Sequence, residues 1–278
     1  EVKSYEPLVV LGKDSRRFYP SMYDFLALRA IEFLARINDD SDLSRSLSRK
    51  GITQQELFLP AEEFVKLKFD PKPGEYDLWA LECYKKLLLS LSGRGLDKAV
   101  ALTDLSRCDY LAQLHDAYRQ YALPLLQSLQ QRWEEDPVSV EIIDKIADLY
   151  LSQIGELPQE DTVKRADKTR ELYRLLQRGV QQFPGYGRTA LLENRLLQLT
   201  QPRFEVEGKS TFGVKSEKSF TLKYQNLKGI TARLYRLESP LSAVYSDRGV
   251  RRSDEMKSLV SELEIPLHSG EPYETSTT

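Results

Sequence analysis

The chain is poor in the residues that staple small folds or hold transition metals: its 278 residues include two Cys, two His and two Met. Two cysteines exclude a disulfide-rich scaffold, and they complete a four-ligand zinc site only if both histidines join them. An excess of one charge is also missing. The 40 Lys+Arg stand against 42 Asp+Glu, which excludes the basic footprint of a nucleic-acid binder and the composition of a charged tail. No run reaches the roughly 18 uncharged apolar residues of a membrane span, and the best stretch, 78–91, is broken by Glu82, Lys85 and Lys86. There is no Asn-x-Ser/Thr acceptor. The start, EVKSYEPLVV, has neither Met nor a basic-then-apolar leader, which fits a processed chain or an internal segment of a longer one. What is present is ordinary apolar content, 41%, over a length of roughly two domains, each large enough for its own core.

Most of the first 200 residues carry a 3.6-residue period. Behind Pro20-Ser21, the residues Tyr23, Leu26, Ala30, Phe33, Leu34 and Ile37 recur at three and four, and apolar residues also fall off that stripe, which predicts a helix buried on two sides. Residues 38–74 turn polar and Ser-rich, then carry the more apolar Leu57-Phe58-Leu59-Pro60 and a Pro71/Pro73/Gly74 cluster, as a wrapping connection with a short strand or helix inside it does. Helices are then expected over 76–91, with Trp79, Cys83, Leu87, Leu88 and Leu91 inward, over 96–115, and over 116–133, where Pro124 marks a kink or a first turn. Asp136-Pro137 caps the next, with Val138, Ile142, Ile146, Leu149 and Tyr150 behind it. Residues 158–183 and 188–199 complete the series. Short Pro/Gly joints predict antiparallel hairpins, and a row of these makes a solenoid of the tetratricopeptide kind.

At Gln201-Pro202 the period changes from 3.6 to 2. Residues 204–207, 220–224, 231–237 and 259–267 alternate between turn signals at Gly208, Gly213 and 226–229, as antiparallel strands with one wet face do. An immunoglobulin-type sandwich needs about seven strands in about 100 residues, and only some five are placed here, so this part is expected to be incomplete. The fold class expected is α+β, with an α-helical hairpin domain over 1–201 and an incomplete antiparallel β-sandwich over 202–278.

Candidate chemistry is sparse. Gly12-Lys13-Asp14-Ser15 lacks the glycine five residues earlier, where Pro7 stands, and the Ser or Thr after Lys13 that a phosphate loop requires. Cys108 and His115, on one helix, lie roughly 10.5 Å apart along its axis, beyond the reach of a general base. Cys83 falls on an apolar stripe, the usual place of a thiol that packs as a small hydrophobe. His115 and His268 sit in different halves, which disfavours a shared metal. Glu62-Glu63 and Glu134-Glu135 are adjacent and point apart on a helix, and the basic run 248–252 beside Asp254 and Glu255 reads as a charged loop. No catalytic, cofactor-binding or metal-ligating residue is expected, and the chain is read as a non-enzyme.

Three stretches together resemble a known family. Pro20-Ser21-Met22-Tyr23-Asp24-Phe25-Leu26-Ala27-Leu28-Arg29-Ala30 is similar to a segment near the start of large alpha-2-macroglobulin-like proteins of Bacteroidetes-type bacteria. The run 183–202 resembles the junction where their helical part ends, and 219–237 looks like the opening hairpin of their first macroglobulin-type sandwich. The resemblance implies a non-catalytic N-terminal region of a large protease inhibitor, exported to the periplasm or anchored at the outer membrane, which traps proteases that cut its bait segment. It implies proteases as partners of the full-length protein, with other envelope proteins beside them, and neither nucleic acid, small-molecule substrate nor cofactor. The family's thioester motif, Cys-x-Glu-Gln, is matched neither by Cys83-Tyr84-Lys85-Lys86 nor by Cys108-Asp109-Tyr110-Leu111. A freestanding helical adaptor that binds peptides on its concave face, with an accessory β module, is the alternative.

Overall fold

The computed structural model describes residues 19–37, 43–158, 160–208, 219–237, 245–246, 249–250, 257–268 and 270–278. The fold is α+β, about 60% helical, with small antiparallel sheets. Two compact units form, one within Glu1–Glu193 and one within Asn194–Thr278. Among the described residues the helices are α1 (Met22–Ile37), α2 (Leu43–Ser48), α3 (Ala61–Phe64), α4 (Tyr76–Gly93), α5 (Asp97–Leu114), α6 (Arg119–Arg132), α7 (Ser139–Glu156), α8 (Thr162–Gln182) and α9 (Thr189–Thr200), with 3₁₀ turns at Gln55–Phe58 and Asp116–Tyr118.

Helix α1 starts where Ser21 and Asp24 cap one another: the Ser21 N–H donates to Asp24 Oδ2 at 3.0 Å, and the Asp24 N–H donates to Ser21 Oγ at 3.2 Å. The burial on two sides expected of it does not occur, and the expected stripe is buried only in part. Tyr23, Leu26 and Phe33 stand 48%, 57% and 64% exposed, while Asp24 and Ile31 are buried against α4. Asp24, paired with Arg94, lies on the side that meets α4.

The polar connection also departs from expectation. It supplies core rather than wrapping it, because Leu43, Leu47, Leu57, Phe58, Phe64 and Phe69 are all buried. A Thr53/Glu56 capping pair starts its 3₁₀ turn: Glu56 Oε2 accepts from the Thr53 N–H at 2.6 Å, and Thr53 Oγ1 accepts from the Glu56 N–H at 3.3 Å.

From α4 to α8 each long helix packs on the next. The α4–α5 joint is closed by Gly95 at φ +67°, with the Leu96 N–H donating to Leu91 O at 3.1 Å and the Gly95 N–H donating to Ser92 O at 2.9 Å. These are the two bonds by which a left-handed residue stops a helix and reverses the chain. Trp79, expected inward, is 40% exposed, and its indole N–H donates to Lys72 O at 3.2 Å. The inward residues of α4 centre on Leu81, Tyr84 and Leu88, because α1 and α5 both pack against it. Pro124 lies inside α6, and the 3₁₀ turn Asp116–Tyr118 precedes that helix. Of the residues expected inward behind Asp136-Pro137, Val138, just before α7, and Ile142, Ile146 and Leu149 within it are buried, and Tyr150 is half-buried.

In the second unit β1 (Arg203–Gly208), β2 (Phe220–Gln225) and β7 (Thr275–Thr277) form one sheet in the order β1-β2-β7. β3 (Gly229–Leu237) pairs with β6 (Lys257–Pro266), and β4 (Tyr245–Ser246) with β5 (Gly249–Val250). All pairings are antiparallel. The hairpin expected over 219–237 is therefore not made, since its two strands belong to different sheets. The switch occurs at Asn226, whose backbone is left-handed at φ +50° and whose Nδ2 donates to Thr200 O at 2.8 Å, while Gln225 Nε2 donates to Leu199 O at 2.7 Å. Anchored in this way, the segment passes across instead of folding back. A small core of Leu222, Tyr224 and Leu267 lies beneath, packed by Leu227, Ile230 and Ile265. The expected single wet face does not hold for β1, all six of whose residues are exposed, Phe204 and Val206 included.

Candidate functional site: an acidic cleft in the helical unit

Helix α5 has the sequence DKAVALTDLSRCDYLAQL, in which Ala101, Leu105, Cys108, Leu111 and Ala112 mark the inward face. Asp104 and Arg107 fall on that same face and are buried with it, Asp104 1% and Arg107 0% exposed. One turn apart, they meet as an ion pair, with Arg107 Nε donating to Asp104 Oδ1 at 2.8 Å and Nη2 donating to the same oxygen. The guanidinium also donates to Leu57 O, and to Leu59 O at 2.8 Å, and it lies 4.0 Å above the centre of the Phe64 ring. Arg107 thus ties the 3₁₀ turn Gln55–Phe58 to α5.

Both of these donors use one oxygen of Asp104. The other, Oδ2, is buried and meets no donor in ordinary hydrogen-bond geometry among the described residues, while the Ala61 N–H at the start of α3 also favours the charged form of this carboxyl. Burial pushes this carboxyl above the ordinary carboxylate range, and the Arg107 charge opposes the shift.

Asp104 lines a cleft of about 440 Å³ between α3, α4, α5 and α6. Its walls are largely apolar, Val65, Leu88, Val100 and Leu129 among them, and Glu62, Asp97, Arg132, Ser92 and Ser128 supply its polar groups. Glu62 and Arg132 face each other as an exposed ion pair. The hydrogen bond from Arg132 holds the Glu62 carboxyl below its usual range, and Glu62 in turn raises Arg132, with Asp97 and Asp104 adding to that rise.

Other candidates are placed apart. Cys108 is buried with Sγ donating to Ala122 O at 3.8 Å, and His115 caps the Asp116–Tyr118 turn through Nδ1, which accepts the Ala117 N–H at 3.1 Å. Cys83 is half-buried against the core. His268 lies in the β unit, where its carbonyl accepts from Tyr224 Oη at 3.1 Å. Glu63 pairs with Lys66 rather than with Glu62, and Glu134 lies 3.7 Å from Arg178. In the basic run only Gly249–Val250 is described, as strand β5. The 12–15 segment lies outside the described residues.

A second depression, of about 510 Å³, lies beside Asp116, Arg119, Ser152 and Glu156. Arg119 already spans it, at 3.0 Å from Asp116, 3.3 Å from Glu156 and 3.1 Å from Ser152 Oγ. Among the described residues no group of three or more His, Cys, Asp or Glu is placed to hold a metal ion, and no helix is long and apolar enough to cross a membrane.

Neither Asp97 nor Asp104 stood out in the sequence as a site residue. The usable signal was the register of Asp104 and Arg107, two charges at inward positions of an Ala- and Leu-rich helix. No family model matches this chain, and comparison with curated proteins and with solved structures finds no match.

Proposed function

We propose that this chain is a non-catalytic scaffold region of a large exported alpha-2-macroglobulin-like protease trap. In this reading the helical unit is a tetratricopeptide-like solenoid, and the strands belong to a macroglobulin-type sandwich that packs against further protein. One observation carries the reading beyond the sequence resemblance. Phe204, Val206, Phe220, Leu234, Leu259, Val260 and Leu263 are large apolar side chains on paired strands, and all are more than half exposed. Strand residues of this kind mark surfaces that other protein covers. The partners of the assembled protein are proteases and other components of a bacterial envelope.

The test uses the parent assembly. Antibodies raised against this chain are used to precipitate it from the envelope fraction of its cells, and trypsin is then added. The expected result is trypsin held in the precipitate, active on a small chromogenic peptide and inactive on a protein-sized substrate. Trypsin that stays in the supernatant with both activities intact overturns the proposal.

A further inference from the structure

We infer that the outer edge of β1 pairs antiparallel with the same edge of a second copy of this chain, with Glu205 on the two-fold axis, so that the two β1-β2-β7 sheets join into one.

The edge is open in the backbone. β1 is the end strand of its sheet: β2 pairs with one side of it, and among the described residues no strand pairs with the other. The direction of its free groups follows from β2. Leu222 exchanges both backbone bonds with Thr278, its N–H donating at 2.9 Å and its carbonyl accepting at 3.0 Å, so the main chain of Leu222 is turned toward β7. Successive residues of an antiparallel strand turn their N–H and C=O groups to opposite edges. Thr221, Lys223 and Gln225 are therefore turned toward β1, where their register partners are Glu207, Glu205 and Arg203. The N–H and C=O groups of Phe204 and Val206 are left facing outward, and unpaired edge groups of this kind are a template for another strand.

The side chains fit a second copy of the same strand. With Glu205 on the axis, residue 203 lies opposite residue 207 of the other copy, and 204 opposite 206. Arg203 of each copy then meets Glu207 of the other. On the opposite face Phe204 meets Val206 at both ends, a cross-strand pair of an aromatic and a β-branched side chain, and these are the two residues whose backbone groups are free to bond. They stand 62% and 55% exposed, yet they share a face with their register neighbours Leu222 and Tyr224, which are buried. Pairing thus extends an apolar face that already exists. Glu205 alone meets its own counterpart, and Lys223, its neighbour on β2 and the ion-pair partner of Glu207, brings a cation beside that meeting in each copy.

Other registers fit less well. A shift of the axis to Val206 sets Glu205 against Glu207 at both ends, and like charges directly opposite are destabilising. A shift to Phe204 sets Val206 against Pro202, which has no N–H to give. A shift by a single residue puts apolar side chains on the face of the charged ones. The result is an isologous contact, in which one patch complements itself. This inference does not rest on the trap reading.

The experiment is sedimentation velocity on the chain and two variants at concentrations from about 1 to about 300 µM, the range in which small interfaces associate. The native chain is expected to pass from monomer to dimer. Arg203→Glu alone and Glu207→Arg alone each set like charges opposite one another at both ends, and each is expected to weaken the dimer at least about tenfold. Mixed in equal amounts, the two variants regain both opposite-charge pairs, and the mixed dimer is expected to return to within about threefold of the native affinity. Both side chains are exposed, so the circular dichroism of the variants is expected to match that of the native chain. A native chain that stays monomeric throughout, a dimer that survives in either variant alone, or a mixture that stays monomeric overturns the inference.

Discussion

Asp24 is fully buried, and it is held by Arg94, a residue seventy positions further along the chain: Arg94 Nη1 donates to Oδ2 at 3.1 Å and Nη2 donates to Oδ1. This pair locks the start of α1 against the end of α4. Burial pushes the Asp24 carboxyl up, but the hydrogen bonds from Arg94 and Ser21 outweigh it and hold the group below its usual range.

Removing the guanidinium leaves a buried carboxylate without its partner. Because Arg94 is about a third exposed, the expected loss for Arg94→Met is about 2 kcal/mol, short of the roughly 3–5 kcal/mol for a fully buried pair. The sign with pH follows from the lowered folded value. The stabilisation is complete above the unfolded carboxyl value of about 3.9 and is lost as pH falls through the folded one. Arg94→Met is therefore expected to raise the midpoint of acid unfolding, and an unchanged midpoint in circular dichroism refutes the assignment.

The two members of the Asp104–Arg107 pair are not equivalent. Arg107→Met removes the donors to Leu57 O and Leu59 O as well as the partner of Asp104, whereas Asp104→Asn leaves those two carbonyls and the Phe64 ring engaged. The expected losses are about 5 and about 3 kcal/mol. Urea unfolding of both variants checks the order, which matters more than either value.

Gly179 is approached so closely that a Cβ there stands 2.6 Å from Leu192 Cδ1 and 3.0 Å from Ile143 Cδ1. Gly179→Ala gains roughly 1 kcal/mol of helix preference, yet it must displace two buried methyl groups at a cost of about 1–3 kcal/mol. The net expectation is a loss of about 1 kcal/mol, read as a lower urea midpoint at unchanged slope. A more stable variant means that Leu192 and Ile143 repack freely.

The thiols differ in the same way as their surroundings. Burial pushes Cys108 up to about 12 and also raises the half-buried Cys83, and the thiolate is the reactive form. Iodoacetamide at pH 8 is expected to label Cys83 slowly and Cys108 not at all in the native protein, and both in urea. Mass spectrometry reads the difference, and fast native labelling of Cys108 contradicts its burial.

Much of the helical unit was legible because α4, α7 and α8 end at Gly or Pro joints and because α7 puts Ile142, Ile146 and Leu149 inward as their spacing requires. The stripe of α1 misled for a physical reason: an apolar pattern cannot show that a carboxylate will be buried, since that depends on Arg94 arriving from far along the chain. Phe64 and Phe69 were hidden in a Pro-interrupted segment with no long period, where only the apolar run at Leu57-Phe58-Leu59 stood out. In the β unit the strands were visible as alternation, but their partners were not, because a two-residue period says nothing about which edge a strand joins. The cleft escaped for both reasons, being assembled from four helices around a charge at an inward position.

The pairing of β2 with β7 has a consequence in time. The Leu222 N–H donates to Thr278 O at 2.9 Å, and the Thr278 N–H donates to Leu222 O at 3.0 Å. β2 finds β1 as soon as it is made, but its other edge waits for Thr275–Thr277, and β3 waits for Lys257–Pro266, whereas α4 to α8 each meet the next helix as soon as it is made. Local contacts form early and distant ones late. On a ribosome the helical hairpins have time to settle one after another while one edge of β2 and the whole of β3 are still unpaired, so the β unit is the stage at which a nascent chain is most open to capture by a chaperone or by a neighbouring copy.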